Sequence, residues 1–216
     1  MNHSKRLLWV FLFAIAFAFV EASVVVYLRL LFYPSGFSFP LKFTPDFPLI
    51  IELARELSTI IMLGAVGMFA GTTRWSRFAY FAIAFGVWDI FYYVWLKVTL
   101  NWPASLLEWD VLFLIPVPWI GPVIAPALIS LLLIVAGWLI LQKEQRPKGA
   151  SGEAFKPGRL AWILSILGSV IILFSFTYDL DATLRFQMPK PYLYELLAVG
   201  LTLYGIALAS AMKRTL

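Results

Sequence analysis

Ionisable side chains interrupt three apolar stretches of this chain, and their types and spacing are the ones that could do chemistry. The acids are Glu21, Glu52, Glu56 and Asp89, and Arg55 lies among them. A charge at the centre of a membrane helix costs about 2.5–3.5 kcal/mol, so such residues usually face a bundle interior or a water-filled cavity. Carboxylates in such a place could bind a proton or a cation, or act as a general acid or base.

Helical spacing puts the charges of the first two stretches on single faces. Glu52, Arg55 and Glu56 lie three and four residues apart, so a helix presents them on one stripe. Glu21 and Arg29 are about two helical turns apart, and Arg29 is expected at the rim of a cavity. Arg55 can bridge two carboxylates with its planar guanidinium and stays charged at any relevant pH. We therefore expect Arg55 to organise the acids of the site.

The third stretch adds an acid, two phenols and a base. Asp89, Tyr92, Tyr93 and Lys97 again share one helical face. Tyr92 and Tyr93 could offer hydroxyls or ring faces to a ligand, and Lys97 is expected at the rim. Asp110 precedes a proline-rich segment and is expected at the mouth of the same cavity.

The four acids fall at about the same depth, roughly 6–14 Å below one surface of the bilayer at 1.5 Å of rise per residue. With Arg55 as the one deep base, four acids and one arginine give a formal charge of −3. Like charges in low-dielectric surroundings cannot all remain ionised. We expect a proton, a metal ion or a cationic ligand to neutralise the remaining negative charge. A buried ion-pair network that only fixes helix packing is the alternative.

Composition places the chain among helical membrane proteins. It has 216 residues, 62% of them hydrophobic, and a mean hydropathy of +0.86, whereas soluble domains are about 45–50% apolar. A β-barrel would show alternating strands of about ten residues, and the uncharged runs here are longer. We predict an all-α bundle that forms one transmembrane domain over residues 1–216. The six predicted spans cover residues 7–33, 48–71, 78–100, 119–142, 160–178 and 192–212.

Lysine and arginine in the connections predict the orientation. Eleven lie on the side of the termini and of loop 143–159, against five on the other side, with Arg55 inside a span. Cytoplasmic loops carry such an excess, so we predict cytoplasmic termini in a bacterial or archaeal cytoplasmic membrane, with the acids towards the outside. Residues 1–22 could instead be a cleaved signal peptide, although the apolar run resumes at Ser23.

A proline-rich stretch leads into the fourth predicted span. Residues 112–126 contain Pro116, Pro118, Pro122 and Pro126, and prolines break helices. Irregular backbone at membrane depth survives only where protein or a water-filled cavity surrounds it. The stretch could therefore be a broken or re-entrant segment, or a surface loop.

Missing residue types exclude several cofactors. The chain has no cysteine and its single histidine is His3, which excludes iron–sulfur clusters, thiolate zinc sites and bis-histidine haem. We predict no cofactor and no metal. A hard divalent cation on Glu52 and Glu56 is the remaining option, although Arg55 between them argues against it. Nucleic acid is not an expected partner, because the net charge of +5 reflects basic cytoplasmic loops.

Three functions fit these residues. The first is a polar site, open to the outside, that binds or transports a small ion, a proton, or a cationic or zwitterionic solute. The second is an intramembrane enzyme that acts on a lipid-linked substrate at the outer leaflet, with a carboxylate as general acid or base. The third is a structural or assembly subunit. The expected partners are the lipid bilayer and a small-molecule or ion ligand; a cavity open to water favours transport, and one open to lipid favours the enzyme.

Overall fold

The chain folds mainly as α-helices. A computed structural model describes residues 3–42, 48–144 and 155–213. Within those ranges the chain forms seven helices and two strands. In chain order they are α1 (His3–Phe32), α2 (Leu49–Ala70), α3 (Arg74–Leu100), β1 (Trp109–Phe113), β2 (Trp119–Pro122), α4 (Ile124–Glu144), α5 (Arg159–Thr177), α6 (Leu180–Leu184) and α7 (Tyr194–Lys213).

Five of the helices, α1, α3, α4, α5 and α7, are long and apolar enough to cross a membrane. This agrees with the membrane class that the composition predicts. Helix α2 has 22 residues but is not among the five, and its first two turns hold Glu52, Arg55 and Glu56. The sixth span and the orientation of the termini therefore stay predictions.

The proline-rich stretch is not a broken helix. Strands β1 and β2 pair antiparallel, with Trp109 opposite Pro122 and Val111 opposite Ile120. This pairing satisfies backbone N–H and C=O groups that an irregular segment would leave without partners. The fold is thus helical with one small sheet rather than all-α. Because the hairpin extends to Pro122, α4 begins at Ile124 and not at residue 119, where the fourth span was predicted to start.

Helix α3 is the centre of the first four long helices. It packs against α1, α2 and α4, whereas α1 and α2 have few contacts with each other. Glycines make these approaches close: a Cβ at Gly86 would lie 2.5 Å from the carbonyl oxygen of Ser130, and one at Gly67 would lie 2.7 Å from that of Arg77. Because both neighbouring atoms belong to the backbone, neither could move aside cheaply.

Helices α5 and α7 form a second pair. They cross where a Cβ at Gly200 would lie 2.4 Å from Cγ1 of Ile172. The pair meets the rest of the protein mainly through β2, at which a Cβ on Gly121 would lie 3.1 Å from the ring of Phe176. The hairpin is therefore packed between the two groups of helices.

Polar contacts join the start of α3 to the end of α4. Thr73 and Ser76 form a capping box that starts α3. The Thr73 hydroxyl also donates to the carboxylate of Glu144, which accepts from the backbone N–H of Phe155 at 3.0 Å. Most of the predicted loop 143–159 lies outside the described residues.

Candidate binding cavity

A cavity of about 490 Å³ lies between α1, α2, α3 and the β-hairpin. Its volume falls within the range of about 300–1,000 Å³ that is usual for ligand sites. Nine of the ten residues that the sequence singles out line it, and the exception is Lys97, whose Nζ donates to the carbonyls of Asn101 and Pro103 at 3.3 and 2.9 Å. The nine are Glu21, Arg29, Glu52, Arg55, Glu56, Asp89, Tyr92, Tyr93 and Asp110.

Arg55 joins α2 to α1 through two carboxylates. Its Nε and Nη2 donate to Oε2 of Glu52 at 2.9 and 2.7 Å, and its Nη1 meets Oε1 of Glu21. The hydroxyl of Thr59 donates to the second oxygen of Glu21 at 3.0 Å. Arg55 therefore bridges two of the four acids, and its hydrogen-bonding capacity is largely occupied.

Glu56 is held by the hairpin instead of by a base. Both of its carboxylate oxygens accept from the backbone N–H of Leu114, at 3.1 and 2.9 Å. Within the described residues, no lysine or arginine nitrogen lies within 4 Å of this carboxylate. A hydrogen bond from a neutral donor stabilises a carboxylate but does not cancel its charge.

Among the described acids that line the cavity, Asp89 is the second without an ion pair. Its Oδ2 accepts from the hydroxyl of Ser130 on α4 at 2.8 Å. The residue is only partly buried and lines the cavity, so its carboxylate is accessible from there. With Glu56, it makes two carboxylates of the cavity that have no described basic nitrogen within 4 Å.

Arg29 and Asp110 are buried rather than at the rim. Nη2 of Arg29 donates to Oδ1 of Asp110 at 2.9 Å, and the two residues are 7% and 2% exposed. The guanidinium lies 4.2 Å from the ring centre of Phe37 and 3.7 Å from that of Trp102. Burial raises the pKa of Asp110 to about 6, against the lowering effect of Arg29.

Some polar atoms of the cavity wall keep spare hydrogen-bonding capacity. Among the described residues, Nε1 of Trp88, Nη1 of Arg29 and Oδ2 of Asp110 are buried and have no hydrogen-bond partner. Buried polar groups in folded proteins are usually satisfied, so each exception needs an explanation. Two donors and one acceptor without partners around one cavity are typical of a site that receives a polar ligand or water.

Two groups that line or contact the cavity were not predicted from the sequence. One is Trp88, which reads as an ordinary apolar residue, although it lies four residues before Tyr92 and therefore on the same helical face. The other is the backbone N–H of Leu114, which no side-chain pattern could reveal. Among the described residues, no group of three or more acidic or histidine side chains is arranged to hold a metal ion.

No protein-family model, no curated protein and no solved structure matches the chain.

Proposed function

We propose that the protein binds a small cationic or zwitterionic solute, or a proton, in this cavity and carries it across the membrane. The observation that supports this most is the pair Glu56 and Asp89. Both carboxylates line the cavity, and no described basic side chain lies within ion-pairing distance of either. A buried negative charge without a counter-ion is costly, and a bound cation or proton removes that cost.

The arginines of the cavity suit this function better than phosphate binding. Arg55 is bonded to Glu21 and Glu52, and Arg29 is bonded to Asp110. Nη1 of Arg29 has no partner among the described residues, but each guanidinium already has a carboxylate counter-ion. A phosphate would have to compete with these carboxylates, which makes the enzyme the weaker candidate.

The cavity extends to the end of the bundle at which α1 and α3 end, and there it reaches the protein surface. Its lining includes exposed residues from connections beyond the helix ends, namely Lys42 after α1 and Leu184 and Phe186 at α6. By the lysine and arginine distribution, this end is the outer one. In the proposal, Arg55 organises the wall while Glu56 and Asp89 take up the charge.

We further propose that α2 is a sixth membrane-crossing helix. Its two acids are buried, Glu52 at 3% and Glu56 at 8% exposure, whereas apolar side chains face outward, such as Ile61 and Phe69 at 61% and 90%. This arrangement is what a lipid-facing helix with an inward polar stripe requires. The chain has no cysteine, so single cysteines can test it directly.

The topology test uses Ser38→Cys and Thr72→Cys, which lie on either side of α2 and are exposed. A membrane-impermeant maleimide should label the first from outside intact cells and the second only after permeabilisation. Labelling of both residues from the same side would refute a crossing by α2.

The transport test uses proteoliposomes on a solid-supported membrane, with a panel of amines and zwitterions. Wild-type protein should give a solute-dependent charge movement, and Glu56→Gln should reduce it about tenfold or more. The matched control is Asp181→Asn, because that acid is exposed and paired with Arg185 outside the cavity. The proposal fails if no solute gives a wild-type signal above empty liposomes, or if Glu56→Gln behaves like the control.

A further inference from the structure

The cavity is far larger than an inorganic ion needs, and much of its wall is apolar. Its volume is about 490 Å³, and Val25 and Leu28 of α1, Leu112 of β1 and Leu184 of α6 contribute to the lining. Pockets of this kind place an organic body against apolar side chains and fix it with a few polar groups. A ligand that fills the cavity therefore needs an apolar part as well as a charge.

The acceptors in the cavity suit a cation that carries N–H donors. Asp89 is accessible from the cavity, and its described hydrogen bond occupies Oδ2. Glu56 has no ion pair among the described residues, and both of its oxygens accept from the backbone N–H of Leu114. An ammonium group offers up to three donors and no acceptor, so it matches carboxylates that still have capacity.

Aromatic rings stand beside these acceptors. Tyr92 is partly exposed and lines the cavity; its ring centre lies 6.4 Å from that of Trp88 and 4.9 Å from that of Tyr93. Ring faces attract cations that lie within about 6 Å of the ring centre. Nε1 of Trp88 is a donor without a partner, however, and it would also suit an anionic group. A zwitterion is therefore the competing ligand.

We infer that the ligand is an organic ammonium ion, in which an N–H-bearing cation meets Asp89 and Glu56 while an apolar substituent lies against the walls from α1 and β1. This rests on the proposed function and narrows its ligand to one chemical class. Inorganic cations lack the apolar part, and anions would meet arginines that already hold carboxylates.

The test is calorimetric titration of the full-length protein in nanodiscs, with protein-free nanodiscs as the blank. The probe is hexylammonium, and its matched comparisons are ammonium ion, hexan-1-ol, hexanoate and the zwitterion norleucine. Hexylammonium should bind about tenfold or more tightly than each comparison. From butyl- to hexylammonium the affinity should rise about fourfold per methylene, the factor expected when each CH₂ is buried.

Variants of Tyr92 test the contribution of the aromatic wall. Tyr92→Phe keeps the ring, whereas Tyr92→Leu removes it, so Tyr92→Leu should bind hexylammonium about fivefold more weakly than Tyr92→Phe. Asp89→Asn should lose about tenfold or more, and Asp181→Asn should change nothing. Thermal unfolding of each variant in the same nanodiscs shows whether it is folded.

The outcomes separate this inference from the proposed function. If ammonium ion binds as tightly as hexylammonium and Asp89→Asn weakens both, the cavity binds cations and the organic-ammonium inference is wrong. Tighter binding of norleucine would assign the site to zwitterions and also overturn the inference. If no cation binds and Glu56→Gln leaves transport unchanged, both the inference and the proposed function fail.

Discussion

Replacing Arg55 by glutamine should destabilise the protein more than any exposed charge replacement. Arg55 is the ion-pair partner of Glu21 and Glu52, which are 7% and 3% exposed. Removing one partner of a buried pair leaves an uncompensated charge and costs about 3–5 kcal/mol. At about 2–4 °C per kcal/mol for a chain of this size, the midpoint of thermal unfolding should fall by roughly 6–20 °C.

Removing the charges of Glu21, Glu52 and Arg55 together should restore most of the stability that Arg55→Gln loses. The triple variant Glu21→Gln, Glu52→Gln, Arg55→Gln removes all three charges together, so it leaves no uncompensated buried charge, which is the main cost of Arg55→Gln alone. Unfolding followed by tryptophan fluorescence in nanodiscs measures both variants. Arg185→Gln is the control, since its exposed ion pair is worth about 0–1 kcal/mol. The reasoning is refuted if the triple variant is as unstable as Arg55→Gln, or if Arg55→Gln matches the control.

Three further outcomes follow from the packing and the charges. Gly67→Ala should lower the unfolding free energy, because its Cβ would lie 2.7 Å from a backbone oxygen of α3. Gly64→Ala on the same helix meets nothing within 4 Å and should raise the unfolding free energy by about 0.5–1 kcal/mol. Equal midpoints of thermal unfolding for the two variants would contradict this. Thr59→Val removes the hydroxyl that donates to Glu21 and should cost about 1–3 kcal/mol in unfolding free energy, but much less when Glu21→Gln is also present. The pKa of Asp110 is about 6 in the folded state, above its ordinary value, so the folded state binds more protons than the unfolded state between about pH 4 and 6. Raising the pH through that window should therefore lower wild-type stability by about 3 kcal/mol relative to Asp110→Asn, and parallel pH profiles would contradict it.

The helices and their polar faces could be predicted because they depend on local periodicity. Glu52, Arg55 and Glu56 of α2 lie at positions i, i+3 and i+4, and the structure places all three on the cavity wall. The ends of α2, α3, α5 and α7 lie within four residues of the predicted spans. Apolar length and helical spacing are properties of the segment itself, so one sequence suffices to show them.

The partners across the cavity could not be predicted, since they depend on tertiary geometry. Arg55 contacts Glu21 and Glu52, while Glu56 is held by the backbone of a hairpin that the prolines had suggested would be irregular. The side chain of Lys97 shares a helical face with Asp89 but turns to carbonyls at the end of its own helix. Periodicity gives the face of a helix, whereas the packing of the neighbouring elements decides which groups meet there.

The central claim is that the carboxylates of Glu56 and Asp89 bind a cation in the cavity. The most direct measurement is a titration of wild-type protein and of the Glu56→Gln, Asp89→Asn double variant with the same panel of cationic and zwitterionic solutes, in nanodiscs. We expect at least one solute to bind wild type saturably, and the double variant to bind it about a hundredfold more weakly, while Asp181→Asn binds it normally. Saturable binding that the double variant retains at full strength would contradict the account, as would the failure of every solute to bind wild type.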